Sequence, residues 1–243
     1  MIIHQINSKI YWEFKVKQAE KIIEQAVNIF RDNLALAFSG GKDSLVVLHI
    51  ALKIKPDIKV VFNNTTVEFP ETIKFVRQLA KEWNINLYTT IPEKHFLKAV
   101  KERGWANHEN RWCCNPYKKE PALKFFKENR IKAEITGTIR TESIYRRSLA
   151  PFKEFKDGFI RVNPIYDWND KEVWEYIKQH ELPYNPLYDL KYRRIGCWCC
   201  PLNGITHYKR LSKTHPKLYF FLTRFRPLHP SVRILEKSFF NLL

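Results

Sequence analysis

Ser39-Gly40-Gly41-Lys42-Asp43-Ser44 and two close-set cysteine groups, Cys113-Cys114 and Cys197-Trp198-Cys199-Cys200, are the residues of this chain whose types and spacing can do chemistry. A glycine turn that opens a helix offers unpaired backbone N–H groups and the positive end of the helix dipole to an anion. Gly40 and Gly41 let backbone approach a phosphate closely, Ser39 and Ser44 add hydroxyls, and Lys42 adds charge. Capping of the helix by Ser39 or Asp43 is the simpler use of the same residues. The spacing is not the G-x-x-x-x-G-K-[ST] of the P-loop hydrolases. Cys113, Cys114, Cys197 and Cys200 bring four soft thiolates from two segments, which suits tetrahedral zinc or a cubane iron–sulfur cluster, with unliganded thiols as the third possibility. An odd total of five cysteines argues against a closed disulfide framework. Cys199 is open to three readings: spare ligand, redox thiol, or buried small apolar residue. A phosphate cradle with grouped soft ligands points to redox or sulfur chemistry on a nucleotide.

These groups need a scaffold, and the apolar pattern supplies one. Val16, Ala19, Ile22, Ile23, Ala26, Val27 and Phe30 recur at helical spacing and lead into a strand at 34–38. The strand stops at Ser39-Gly40-Gly41, after which Leu45, Val46, Leu48, His49, Ala51 and Leu52 restore a helical pattern. Strands at 58–63, 86–90 and 133–137, with a last one at 159–162, alternate with helices near 71–83, 93–103 and 118–129. That alternation predicts an α/β fold with a mostly parallel five-stranded sheet flanked by helices. From Pro164 prolines break the chain into short helices, including one at 170–180, so the expected division is a nucleotide-binding domain, 1–163, and a C-terminal helical and loop subdomain, 164–243.

The bulk numbers bound the partners. The chain has 243 residues, 44% of them hydrophobic, ample for one sizeable core, and no apolar run of about 18 residues that would span a bilayer. Met1 to Asn7 is too short and polar for a secretory signal, and the expected location is cytoplasmic. Forty-two Lys and Arg against 25 Asp and Glu leave a net charge of +17, which draws polyanions: nucleic acid, clefts for phosphate or sulfate, or the surface style of a thermophile. The aromatic and basic stretch from Tyr208 through Arg226 fits either stacking on single-stranded bases or a packed helix with a solvated face.

Ser39-Gly40-Gly41-Lys42-Asp43-Ser44 resembles the pyrophosphate loop of the adenine-nucleotide α-hydrolase (PP-loop) superfamily, and within it the phosphoadenosine phosphosulfate (PAPS) and adenosine phosphosulfate (APS) reductases. Further likenesses run through Asn63 to Thr72, Gly137 to Ser143 with Arg146 and Arg147, Pro164 to Trp168, and Asn185 to Tyr188 followed by Arg194-Ile195-Gly196-Cys197. The resemblance implies a Rossmann-like fold with a nucleotide at the carboxyl ends of the strands, held by Ser39, Gly40, Gly41, Lys42, Asp43, Ser44, Thr65, Glu68, Gly137, Arg140, Arg146 and Arg147. It implies a [4Fe-4S] cluster on Cys113, Cys114, Cys197 and Cys200, and a lysine, Lys118 or Lys119, between cluster and substrate. Reductases of this kind attack the substrate sulfur with a cysteine near the C-terminus, and no cysteine follows Cys200, so the expected nucleophile is Cys199, a partner's cysteine or an external thiol. Substrates consistent with the resemblance are APS, PAPS or ATP, with a thioredoxin-like or ferredoxin-like reductant and a homodimer as possible partners. The complete loop also resembles members that split ATP and adenylate tRNA or DNA for thiolation or phosphorothioation, the alternative function.

Overall fold

The computed structural model describes residues 2–142 and 144–224. Ser143, and Phe225 and Arg226 of the aromatic and basic stretch, lie outside them. The chain forms two compact units, each built from three separate stretches. One comprises Met1–Phe62, Phe75–Thr89 and Lys124–Asn185; the other Asn63–Lys74, Thr90–Leu123 and Pro186–Leu243. This differs from a contiguous split at 163/164. Residues 164–185 stay with the first core because Ile165, Trp168, Val173, Tyr176 and Ile177 are buried in it.

The first unit carries helix α1 (Ile2–Phe30), strand β1 (Leu34–Ala37), helix α2 (Lys42–Ile54), strand β2 (Lys59–Asn63), most of helix α3 (Pro70–Glu82) and strand β3 (Leu87–Thr90), with Asn63, residues 70–74 of α3 and Thr90 belonging to the other unit. Helix α4 (Phe96–Arg103) belongs to the second unit. Helix α5 (Glu120–Glu128) leads to strand β4 (Ala133–Ile135), β5 (Phe152–Glu154), β6 (Ile160–Val162) and helix α6 (Asp170–Gln179). The sheet order is β3-β2-β1-β4-β6-β5, and β1 pairs in parallel with both β2 and β4. Leu34, Ala35 and Leu36 are buried, as a central strand covered on both faces requires. The sheet has six strands rather than five. The extra one, β5, pairs antiparallel with β6 through a turn in which Gly158 has a φ of 76°. Strand order reverses at β1 and β4, so the loops leaving their carboxyl ends flank the topological switch point where open α/β sheets bind ligands.

The second unit has its own core, including Val67, Phe69, Phe96, Tyr117, Leu187, Trp198, Tyr208 and Leu211. It contains α4, a π-helical turn (Asn115–Lys119), α7 (Ile205–Thr214) and α8 (Pro216–Arg224).

The first core holds a small histidine group with a measurable consequence. His49 Nδ1 lies 2.9 Å from the Tyr176 hydroxyl, and its ring is 5.1 Å from that of His180. Burial, with the charges of Lys53 and His180, lowers the His49 pKa to about 4, and burial with Lys53 also lowers that of His180. The unfolded chain, titrating near 6.5, therefore binds more protons than the native state below that pH. Stability is full above about pH 6.5 and falls as the pH drops toward 4. We expect a loss of about 1 kcal/mol between pH 7 and pH 5 after discounting for solvent screening. Urea titrations at the two pH values check this, and the double variant His49→Gln/His180→Gln should lose less over that interval than the parent.

Candidate functional site

In the first unit, β1 ends at the glycine turn and α2 begins at Lys42 with Gly41 as its N-cap. Gly40 sits at φ 75°, a conformation cheap for glycine and strained for other residues. The loop is laced internally: the Ser39 N–H donates to Ser44 Oγ (3.2 Å), and Ser44 Oγ donates to the Gly41 carbonyl (2.9 Å). The Lys42 ammonium is 2.8 Å from both Asp43 and Asp170, and Asn185 Nδ2 donates to the Gly40 carbonyl at 3.3 Å. Asp170 starts α6, and neither it nor Asn185 carried a local signal of loop contact. Gly137, just beyond β4, closes on the same loop: a Cβ there would stand 2.6 Å from Asp43 C and Ser44 N. Six predicted residues, Ser39 to Ser44, and Gly137 thus share one place.

The arginines of the second anion segment are arranged differently. Arg140 is exposed, its Nε donates to the Leu149 carbonyl at 2.8 Å, and its guanidinium lies 4.6 Å over the Tyr166 ring. Arg146 is half-buried and Arg147 exposed.

The second unit gathers the thiols. The π-helical turn between Cys114 and α5 carries Lys118 and Lys119, and π-turns within helices recur at functional sites. The adjacent Cys114 thiol, then burial, raises the Cys113 pKa, and Cys113 lowers that of Cys114, which Lys118, Arg111 and Lys119 pull down further. Cys113 also feels the charges of Cys197 and Cys200. Burial, then Glu68, pushes Cys197 up to about 12 while Lys118 acts against them. The Lys118 pKa is raised above the usual lysine range by Cys197 first, then Glu68, Cys200 and Cys114. Lys118 is exposed, and its side chain borders the Cys197–Cys200 loop. It lines a pocket with Arg194, Cys197, Cys200 and His207. Among the described residues no group of three or more His, Cys, Asp or Glu forms a metal site as it stands.

Thr65 and Glu68 belong to this sulfur side. Thr65 Oγ1 donates to Glu68 Oε1 at 2.7 Å and lies 3.3 Å from Cys197 Sγ, and Glu68 bridges Cys197 through the backbone. Cys199 is buried in the core, and burial drives its pKa well above the ordinary value, which leaves the thiol neutral and weakly nucleophilic.

Three side chains hold the Cys197–Cys200 loop by its carbonyls; of these the sequence singles out only Tyr208, and for a different role. Asn203 Nδ2 donates to the Cys197 carbonyl (3.4 Å), His207 Nε2 to that of Trp198 (2.9 Å), and the Tyr208 hydroxyl to that of Cys200 (2.8 Å). Tyr208 is fully buried, which rules out stacking on bases from that ring. Tyr208→Phe removes a buried hydrogen bond worth about 1 kcal/mol and should lower the melting temperature by about 2–4 °C in differential scanning calorimetry.

Residues 33–203 match the phosphoadenosine phosphosulfate reductase domain family. The chain belongs to that family. An adenosine 5′-phosphosulfate reductase of Bacillus mycoides is 33% identical over 197 residues, covering 78% of this chain and 82% of that one. An uncharacterised Methanocaldococcus jannaschii protein is 36% identical over 187 residues, 75% of this chain. The match covers less than half of that relative, 45%, and 43% of a second protein from the same organism. Among solved structures, a Candida auris PAPS reductase in complex with phosphate superposes with a TM-score of 0.65 at 28% identity, over 75% of this chain and 89% of that one. The PAPS reductase domain match takes in both the glycine loop and all four paired cysteines. In this family member no helix among the described residues is long and apolar enough to cross a membrane.

Proposed function

We propose that this chain is the nucleotide- and cluster-binding part of a sulfonucleotide reductase that converts APS or PAPS to sulfite and the adenosine phosphate. The observation that carries the reading is the match of a PAPS reductase family model that spans the glycine loop and all four of Cys113, Cys114, Cys197 and Cys200, with Lys118 lining a pocket beside Cys197 and Cys200. Four thiolates from two segments, with a cation beside two of them to offset charge, fit a [4Fe-4S] cluster better than zinc. When bound, the cluster would supply local charge and fix the spacing of the two cysteine segments.

The remaining roles fall to side chains of known position. Gly40, Gly41 and the amino end of α2 hold phosphate oxygens, and Lys42 leaves Asp43 or Asp170 to pair with them. Lys118 and Arg194 offer cations to an oxyanion in the pocket they line. A thiolate attacks the sulfur of the sulfo group, the bond from that sulfur to the phosphate oxygen breaks, and the adenosine phosphate leaves. A second thiol attacks the first thiol's sulfur, sulfite departs with the electron pair, and the two thiols end as a disulfide. Both thiols come from a reductant or another polypeptide segment, since four cysteines here are ligands and Cys199 is buried and neutral.

Anaerobic titration calorimetry with APS, PAPS and ATP tests the loop. Lys42→Ala should weaken binding by about 10- to 100-fold, the loss of one or two charge-assisted hydrogen bonds; unchanged affinity would remove the loop from the reading. The complete Ser-Gly-Gly-Lys-Asp-Ser loop favours a second reading, ATP cleavage that adenylates nucleic acid for sulfur insertion, whose mark is pyrophosphate release from ATP.

A further inference from the structure

The excess of positive charge is concentrated in the second unit, where the sequence from Lys191 to Arg224 has no Asp or Glu. Tyr192 ties this stretch together. Its hydroxyl is 2.9 Å from Thr214 Oγ1 and 3.3 Å from His215 Nδ1, and the Arg210 guanidinium lies 5.6 Å over its ring. The Lys191–Arg194 segment is thereby pinned against the carboxyl end of α7. On α7, Lys209 and Lys213 are one turn apart and exposed, while Tyr208 and Leu211 on the other side are buried. Lys217 follows in the first turn of α8.

Lys191, Arg193, Arg194, Lys209, Lys213 and Lys217 are all exposed, and none makes an ion pair with a described carboxylate. Glu71 borders this face, 3.1 Å from His215 Nε2, and Asp189 lies two residues before Lys191 in the chain. A thermostabilising ion network needs both signs and does not explain unpaired cations. One nucleotide's phosphates do not need six cations spread over a segment and two helices. Unpaired like charges repel, and a polyanion relieves that repulsion. An anionic bilayer is the poorer fit, because the apolar side of α7 is buried and offers no stripe to insert.

We infer that this face, built from Lys191, Arg193, Arg194 and the exposed lysines of α7 and α8, binds the phosphate backbone of nucleic acid. The inference stands apart from which nucleotide the glycine loop holds. Its test is fluorescence anisotropy of the full chain with labelled single-stranded RNA of about 20 nucleotides and with duplex DNA of similar length, across a salt series. Contact with about five phosphates of a single strand predicts a slope of log K against log salt of about −3 to −4. The variant Lys191→Glu/Lys209→Glu/Lys213→Glu/Lys217→Glu should lose at least about tenfold in affinity with a shallower slope, while its melting curve and APS affinity stay at the parent values. Lys17→Glu/Lys21→Glu/Lys171→Glu/Lys178→Glu, an equal change of net charge on the first unit, should bind as the parent does. Equal loss in both variants, absence of binding by the parent, or preference for phosphatidylserine vesicles over nucleic acid would each overturn the inference. A misfolded quadruple variant is replaced by the neutral Lys209→Gln/Lys213→Gln pair, for which a weaker but specific loss is the expected result.

Discussion

Serine in place of any one of Cys113, Cys114, Cys197 or Cys200 is expected to abolish most iron and acid-labile sulfide binding at the proposed cluster site and to lower kcat/KM for the sulfonucleotide by more than about 100-fold. Cys113 feels the charges of Cys114, Cys197 and Cys200, and Cys197 is already fixed by Thr65 at 3.3 Å and by the carbonyl contact of Asn203. A serine hydroxyl does not ionise at neutral pH and is a poor ligand for iron. Cys199→Ala, by contrast, trims a buried core residue and should leave iron content unchanged. Iron analysis and the visible charge-transfer absorbance of anaerobically reconstituted protein separate the two classes. Full iron occupancy in Cys113→Ser would contradict the ligand assignment.

Gly137→Ala is expected to be strongly damaging to the first unit. The added Cβ would stand 2.6 Å from backbone atoms of Asp43 and Ser44, where no side chain can swing aside. Either β4's loop or the start of α2 must shift, and overpacking of this sort costs about 1–3 kcal/mol. Because the displaced atoms belong to the proposed phosphate loop, nucleotide affinity should fall by about tenfold or more even where the variant stays folded at 25 °C. Calorimetric titration with APS or ATP, set beside a melting curve, distinguishes lost affinity from lost fold. Parental affinity would show that the close approach of the two loops is not needed for binding.

The parallel strands and the helices between them were legible because each is a local pattern: β1 to β4 and β6 appear within a residue or two of where apolar runs place them. β5 was not, since Phe152, Lys153 and Glu154 show neither alternation nor a buried run. The division into units escaped the sequence for a related reason. A change of texture at Pro164 is local, whereas the burial of Trp168 and Tyr176 in the first core depends on contacts far along the chain. The glycine loop and the cysteine pairs were read from spacing, but their supports were not. Thr65 reaches Cys197 across 132 residues and Asn185 reaches Gly40 across 145, and no periodicity reports pairings of that kind. That Lys118 lines the pocket beside Cys197 and Cys200 depends on contacts nearly 80 residues along the chain, which no local spacing reports.

The most direct test of the central claim is sulfite release from APS, and separately from PAPS, by anaerobically reconstituted protein with a dithiol reductant. The account predicts sulfite and the matching adenosine phosphate in equal amounts from at least one of the two, with the better substrate reporting whether a 3′-phosphate is recognised. Protein with a full complement of iron and sulfide that yields no sulfite from either would contradict it.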